Sequence, residues 1–166
     1  MIFKALDLAL RPLFRLAEVI VVLLGMAMVA SVFMQVALRY GANFSFMGSE
    51  ELTRFMLTWF IFLSAAVGLD RNLHFEVDTF VRQFSPPMQR LSLFVARLIV
   101  LSVLFVFFIK GIELTVRNWR QLSSAMQVPM SFANAAIPVA ALLMIGVVFR
   151  EMCRPAEPPD VSSELT

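Results

Sequence analysis

Four long apolar stretches, each bounded by charged or polar residues, divide the chain. They cover residues 16–38, 52–69, 91–109 and 132–148. Each is close to the ~20 residues that a helix needs to cross about 30 Å of hydrocarbon, and none is long enough to cross twice. Because a helix satisfies its backbone hydrogen bonds within one segment, the pattern predicts an all-α integral membrane protein with four transmembrane helices.

Two shorter segments show the spacing of amphipathic helices, with apolar residues on one face and polar residues on the other. They are residues 2–15 and residues 77–84. We expect both to lie flat at the membrane surface, with Pro12 marking the bend into the first span; alternatively, the first segment only extends that span. The proline- and serine-rich residues 155–166 are expected to form a disordered tail after a single membrane domain of residues 1–154.

The distribution of basic residues predicts the orientation in the membrane. An even number of spans puts both termini on one side, together with the loop between the second and third spans. That side carries eight Lys and Arg residues: Lys4, Arg11, Arg15, Arg71, Arg82, Arg90, Arg150 and Arg154. The other side carries four: Arg39, Lys110, Arg117 and Arg120. The remaining two, Arg54 and Arg97, are left out of this comparison because they belong to the helix ends. The positive-inside rule therefore predicts that both termini are cytoplasmic.

Composition excludes several classes of protein. The chain is 60% hydrophobic and only 16% charged, far from a soluble domain, and 14 basic against 12 acidic residues are too nearly balanced to indicate nucleic-acid binding. The single Cys153 excludes an internal disulfide or a cysteine-based metal cage. The single His74, near Asp78, has neither zinc-ligand spacing nor the second histidine of a bis-histidine haem anchor. We therefore expect no catalytic residue, no metal, no cofactor and no enzymatic activity.

Glu50, Glu51 and Arg54 stand at the start of the second span. The two glutamates suit the positive end of the helix dipole, and Glu50 and Arg54, four residues apart, are spaced for an ion pair. Alternatively, the doubled acid docks a basic surface of a partner outside the cytoplasm.

Glu18 and Arg97 are ionisable residues inside the predicted spans, at similar depth. Because an isolated charge is costly there, we predict that they form an intramembrane ion pair, whereas separate snorkelling or a proton pathway are the alternatives. Small residues that allow close helix packing recur in the second and fourth spans: Ser64, Gly68, Ala136 and Ala140.

Several motifs together resemble those of a transporter family. They are Glu50-Glu51-x-x-Arg54, Trp59, Ser64-Ala65-Ala66, Arg71-x-x-His74, Val77-Asp78, Val128-Pro129 and Ala136-Ile137-Pro138. In this combination the chain resembles the small, DctQ-type membrane subunit of tripartite ATP-independent periplasmic (TRAP) transporters.

The resemblance implies an accessory subunit in a bacterial inner membrane. Its partners would be membrane lipids, a large membrane subunit that carries substrate and coupling sodium, and a periplasmic binding protein that delivers a small organic acid. The resemblance places one group of residues on the periplasmic, partner-facing side: Glu50, Glu51, Arg54 and Trp59. It places a second group at the cytoplasmic rim: Asp70, Arg71, His74 and Asp78.

Three other classes of four-helix protein remain open at this point. One is an autonomous small-molecule or ion transporter, which needs an ionisable group deep in its bundle, whereas Glu18 lies near a rim. A membrane anchor of a respiratory enzyme is disfavoured by the single histidine. A tetraspan protein with a purely structural role is the third.

Overall fold

The structure is a computed structural model and describes residues 2–41, 47–72 and 86–152. Within these ranges the chain is built from helices, with one isolated β-bridge. In chain order they are α1 (Ile2–Gly41), α2 (Met47–Asn72), α3 (Pro86–Arg117), a 3-10 helix (Asn118–Arg120), α4 (Ser131–Asn134) and α5 (Ala136–Met152).

Four of the described segments are long and apolar enough to cross a membrane: Leu10–Gly41, Gly48–Arg71, Phe94–Arg120 and Ser131–Met152. The prediction of an all-α fold with four transmembrane helices is confirmed. The first and third helices extend well beyond the apolar stretches, since α1 reaches Gly41 and α3 continues to Arg117.

The amphipathic segment 2–15 is the beginning of α1. The helix runs through Pro12 without a break, so this segment and the first span form one continuous element. Its position at the membrane surface stays a prediction. The second predicted surface helix, residues 77–84, and the predicted tail, residues 155–166, lie outside the described residues.

The helices pack side by side as a row in the order α1, α2, α5, α3. In the described ranges α1 also contacts α5, whereas α1 and α3 have no extensive contact with each other. One cluster of buried apolar side chains joins α1, α2 and α5 in the described part of the chain: Phe14, Leu63, Ala66, Ala140, Leu143 and Val147. The architecture is therefore an open row of helices rather than a closed bundle.

The two outer helices expose most of their large apolar side chains. On α1, Val29 is 67% exposed and Phe33 is 74% exposed, and on α3 both Phe105 and Val106 are 57% exposed. Exposure of contiguous apolar surfaces of this kind to water is unfavourable, so lipid hydrocarbon or another protein must cover them.

A tight crossing joins α3 to the start of the last span. A Cβ atom added at Gly111 would lie 2.9 Å from Cδ and 3.1 Å from the backbone nitrogen of Pro138. The last span itself is interrupted at Ala135, between α4 and α5, because the missing N–H of Pro138 leaves the carbonyl of Asn134 without its helical partner. Glycine on one helix and proline on the other thus bring the two backbones into contact.

Candidate functional site

Polar side chains gather at the two ends of the row. We call one end the Glu51 end; it contains the end of α1, the start of α2, and the connection from α3 to α4. The opposite end, which we call the Asp70 end, contains the beginnings of α1 and α3 and the ends of α2 and α5. Each end links several helices.

The connection at the Glu51 end is a short hairpin, which we call the 121–130 loop. Leu122 and Pro129 form an isolated antiparallel bridge. The N–H of Ser123 donates to the carbonyl of Val128 at 2.9 Å, and the N–H of Met130 donates to the carbonyl of Gln121 at 2.8 Å. Gln127 has a positive φ of 55°, which turns the chain at the end of the hairpin. The tip of the loop therefore has a defined backbone shape.

Glu51 binds the tip of this loop. Its carboxylate accepts hydrogen bonds from three consecutive backbone N–H groups, those of Ser124 at 3.2 Å, Ala125 at 3.0 Å and Met126 at 2.9 Å. Successive N–H groups that point the same way form a concave site for an anion. Because hydrogen bonds to an ionised group are stronger than neutral ones, this contact ties α2 firmly to the loop.

Trp59 makes a second link between α2 and the same region. Its indole Nε1 donates to the backbone carbonyl of Phe132 at 2.9 Å, at the start of α4. Glu51 and Trp59 lie two turns apart on α2. The helix therefore holds both the tip of the loop and the helix that follows it.

A polar network joins α1 to α2 at the same end. The amide Nε2 of Gln35 lies 2.9 Å from the hydroxyl of Thr53, 3.1 Å from the carbonyl of Ser49 and 3.2 Å from the hydroxyl of Ser31. This network was not predicted from the sequence. Two polar residues four positions apart in the apolar first span, Ser31 and Gln35, could have indicated it, because such residues often form hydrogen bonds with a neighbouring helix.

Beside this network lies an open cavity of about 500 Å³. Its polar lining residues are Ser31, Gln35, Arg39, Tyr40, Ser49 and Glu50.

The four residues predicted to face a partner divide into two pairs. Glu51 and Trp59 are used for contacts inside this chain. Glu50 and Arg54 are exposed, and the predicted ion pair between them is not formed in the described part of the chain. Neighbouring residues on a helix point about 100° apart, which explains why two adjacent glutamates have different surroundings. Contact of Glu50 and Arg54 with a partner stays a prediction.

The predicted pair between Glu18 and Arg97 must be corrected. Glu18 pairs with Arg71 at 2.8 Å instead. Arg97 donates from Nη1 to the backbone carbonyl of Glu151 at 3.1 Å. Both residues do lie at the Asp70 end, but Glu18 belongs to α1 and Arg97 to α3, the two helices at opposite edges of the row.

The Asp70 end contains a second ion pair, between Asp70 on α2 and Arg150 on α5. Their atoms Oδ1 and Nη2 lie 2.7 Å apart, although not in the alignment of a hydrogen bond. The side chain of Arg150 also lies 3.7 Å from the carboxylate of Glu151, which is only 7% exposed. Of the four residues predicted for this rim, Asp70 and Arg71 therefore bridge helices, while His74 and Asp78 lie outside the described ranges.

The small residues predicted to pack helices together have different surroundings. Ala136 and Ala140 are completely buried. A Cβ atom at Gly68 would meet nothing within 4 Å, so no close contact explains this glycine. Ser64 is half-buried, and its hydroxyl has no hydrogen-bond partner.

Four membrane-length helices joined by polar links at both ends define a multi-pass membrane protein. The family model described as "Tripartite ATP-independent periplasmic transporters, DctQ component" matches residues 28–157. A Haemophilus influenzae protein, named as a TRAP transporter small permease protein, is 29% identical over 123 residues, which cover 70% of this chain and 76% of that protein. The chain therefore belongs to the DctQ family of TRAP transporter subunits, as its motifs predicted.

Proposed function

We propose that this chain is the accessory scaffold subunit of a sodium-coupled TRAP importer for a small organic acid. In this proposal a large membrane subunit carries the substrate and sodium sites, and a periplasmic binding protein delivers the substrate. The observation that carries the proposal is the family match, which extends from the middle of α1 to beyond the end of α5. The match therefore includes every helix of the row.

The open row supports a scaffold function. A closed bundle buries most of its apolar surface between its own helices. Here the outer helices α1 and α3 have exposed apolar side chains such as Phe33 and Phe105. One of these faces would contact the large subunit and the other would contact lipid. Polar contacts at both ends of the row bridge neighbouring helices, which also suits a supporting role.

We further propose that the Glu51 end is periplasmic and the Asp70 end cytoplasmic, in a bacterial inner membrane. The excess of Lys and Arg on the side of both termini supports this orientation. The exposed residues Glu50 and Arg54 would then face the binding protein.

Cysteine labelling tests the orientation, because Cys153 is the only cysteine in the chain. A membrane-impermeant maleimide is added to intact spheroplasts and to opened membranes. We expect native Cys153 to react only in opened membranes. In the matched variant Cys153→Ser/Ser124→Cys, the exposed loop position should react in both preparations. The reverse pattern would contradict the proposed orientation.

Co-purification and transport test the function itself. The tagged chain is purified in mild detergent from cells that also express a large TRAP membrane subunit, and the complex is reconstituted with a periplasmic binding protein. We expect uptake of one acid from a radiolabelled panel of succinate, malate and N-acetylneuraminate, driven by an inward sodium gradient. Uptake by this chain alone, or its purification without a large subunit, would contradict the proposal.

A further inference from the structure

We propose that six charged residues at the Asp70 end act together as positioning residues that fix the spacing of all four membrane helices. We call this set the charge chain: Glu18, Arg71, Asp70, Arg150, Glu151 and Arg97. The proposal rests on the proposed scaffold function, because it explains how the subunit keeps the face that it offers to the large subunit in a fixed shape.

The first two links of the charge chain connect α1 to α2 and α2 to α5. Glu18 on α1 pairs with Arg71 on α2 at 2.8 Å. Asp70, the residue next to Arg71, pairs with Arg150 on α5 at 2.7 Å. Two neighbouring residues of opposite charge on α2 thus reach to opposite sides, one toward each adjacent helix.

The third link connects α5 to α3. Glu151, which follows Arg150 on α5, accepts a hydrogen bond at its backbone carbonyl from Arg97 on α3 at 3.1 Å. Along the row the charges therefore alternate between acid and arginine, with three of each. Because the helices pack in the order α1, α2, α5, α3, one arginine crosses every joint between neighbouring helices.

Burial identifies the central link as the most important one. The side chains of Arg150 and Asp70 are 13% and 21% exposed, and Glu151 beside them is buried. The outer pair, Glu18 with Arg71, is more exposed, since the side chain of Arg71 is 65% exposed. Ion pairs between exposed groups contribute little to stability. Removing one partner from a shielded pair leaves an uncompensated charge near the membrane, which is costly.

Apolar packing and the charge chain both act on the helix spacing at this end. The outer helices α1 and α3 do not pack extensively against each other in the described ranges, so their separation depends on the helices between them. Phe14 of α1, Leu63 of α2 and Val147 of α5 share one buried apolar cluster. The ion pair between Asp70 and Arg150 adds a directional contact between α2 and α5 to this packing, and without it we expect the two helices to sample a wider range of positions.

Distance measurements by pulsed electron paramagnetic resonance test this idea in the reconstituted complex. Spin labels are placed at Leu13 on α1 and Met88 on α3, both exposed, in a Cys153→Ser background. We expect Arg150→Gln to broaden the distance distribution between the labels. The maximal rate of uptake of the panel acid should fall roughly threefold to tenfold, the range of a moderate coupling between sites, with KM unchanged.

The conservative variant Arg150→Lys separates loss of the charge from general damage. It keeps a cation between Asp70 and the buried Glu151, so it should retain a narrow distribution and most of the maximal rate, even where Arg150→Gln assembles poorly. Glu113→Gln is the matched control, because it removes an ion pair of the same 2.7 Å length, to Lys110, that lies within α3 and joins no helices. Its distance distribution and uptake should match those of the unaltered complex.

The two proposals fail in different ways. If the unaltered chain binds no large subunit or supports no uptake, the proposed function is wrong. If the complex assembles and transports, but Arg150→Gln leaves both the distance distribution and the maximal rate unchanged, the charge chain is wrong and the function stands. A distance distribution for Arg150→Lys as broad as that for Arg150→Gln would also overturn the charge chain.

Discussion

At the scale of single residues, Glu50 and Glu51 show how identical side chains acquire different functions from one step along a helix. Glu51 accepts three backbone hydrogen bonds from the 121–130 loop, whereas Glu50 is exposed beside the open cavity. A doubled acid at a helix start therefore combines one residue that stabilises the subunit with one that is available to a partner.

Replacement of Glu51 should loosen the 121–130 loop. In Glu51→Gln the amide has one acceptor oxygen, and its NH2 group would face backbone donors that have lost their partner. We expect a lower melting temperature and faster cleavage within the loop, because the backbone N–H groups lose a charged acceptor. Thermal unfolding and proteolysis within the loop, both measured in mild detergent, provide the test.

Glu50→Gln is the matched control for this experiment, because it makes the same chemical change one residue away. Its stability and its protease resistance should equal those of the unaltered protein. Equal behaviour of the two variants would mean that the contact between Glu51 and the loop does not stabilise the fold.

At the scale of helices, the crossing of α3 and α5 depends on the absence of a side chain at Gly111. Gly111→Ala would place a methyl group 2.9 Å from Cδ of Pro138, a distance that forces the helices apart. Since neither backbone yields easily, we expect a loss of about 1–3 kcal/mol in stability, as for other overpacked sites. The melting temperature of the purified protein measures this effect.

Gly68→Ala makes the same substitution in open space. Among the described residues, no atom outside the helix's own backbone and the two chain neighbours lies within 4 Å of the added methyl group, and alanine favours a helix over glycine by about 1 kcal/mol. This variant should be as stable as the unaltered protein or slightly more stable. If Gly111→Ala behaved in the same way, close backbone contact would not explain the glycine at the crossing.

The helices were predictable from the sequence, but their neighbours were not. Apolar length and charged boundaries identify the spans, because a bilayer imposes both. The same pattern gives the depth of Glu18 and Arg97, and both do lie at one end of the row. The pattern does not show which helices are neighbours in the membrane plane. Because α1 and α3 lie at opposite edges of the row, Glu18 and Arg97 each contact another residue.

The contacts of the 121–130 loop were unpredictable for a related reason. Glu51 is more than 70 positions away from the backbone groups that it binds, and those groups belong to residues of ordinary polarity. The residue types in a sequence do not show which backbone N–H groups are available as donors. The sequence identifies the doubled acid as a candidate for docking, but only the folded chain distinguishes the internal residue from the exposed one.

At the scale of the whole molecule, the described helices bury few apolar side chains and expose many. The described core consists of few side chains, several of them alanine. The outer helices have exposed apolar side chains along most of their length, among them Phe33 and Phe105. A detergent or a lipid can cover these faces without interlocking with them. A rigid partner surface adds packing that hydrocarbon does not provide, and packing is a main source of stability between membrane helices.

The isolated chain should therefore melt at a lower temperature than the chain in complex with its large subunit. A partner that binds only the folded state stabilises it, by about 2.7 kcal/mol when the partner is present at 100 times its dissociation constant. The unfolding of this chain is followed by labelling of Cys153→Ser/Ala140→Cys, whose cysteine replaces a completely buried residue, with and without the large subunit. The exposed Cys153→Ser/Ser124→Cys variant serves as the control, because its labelling does not require unfolding. Identical melting temperatures in the two preparations would mean that the apolar faces of α1 and α3 contact only lipid.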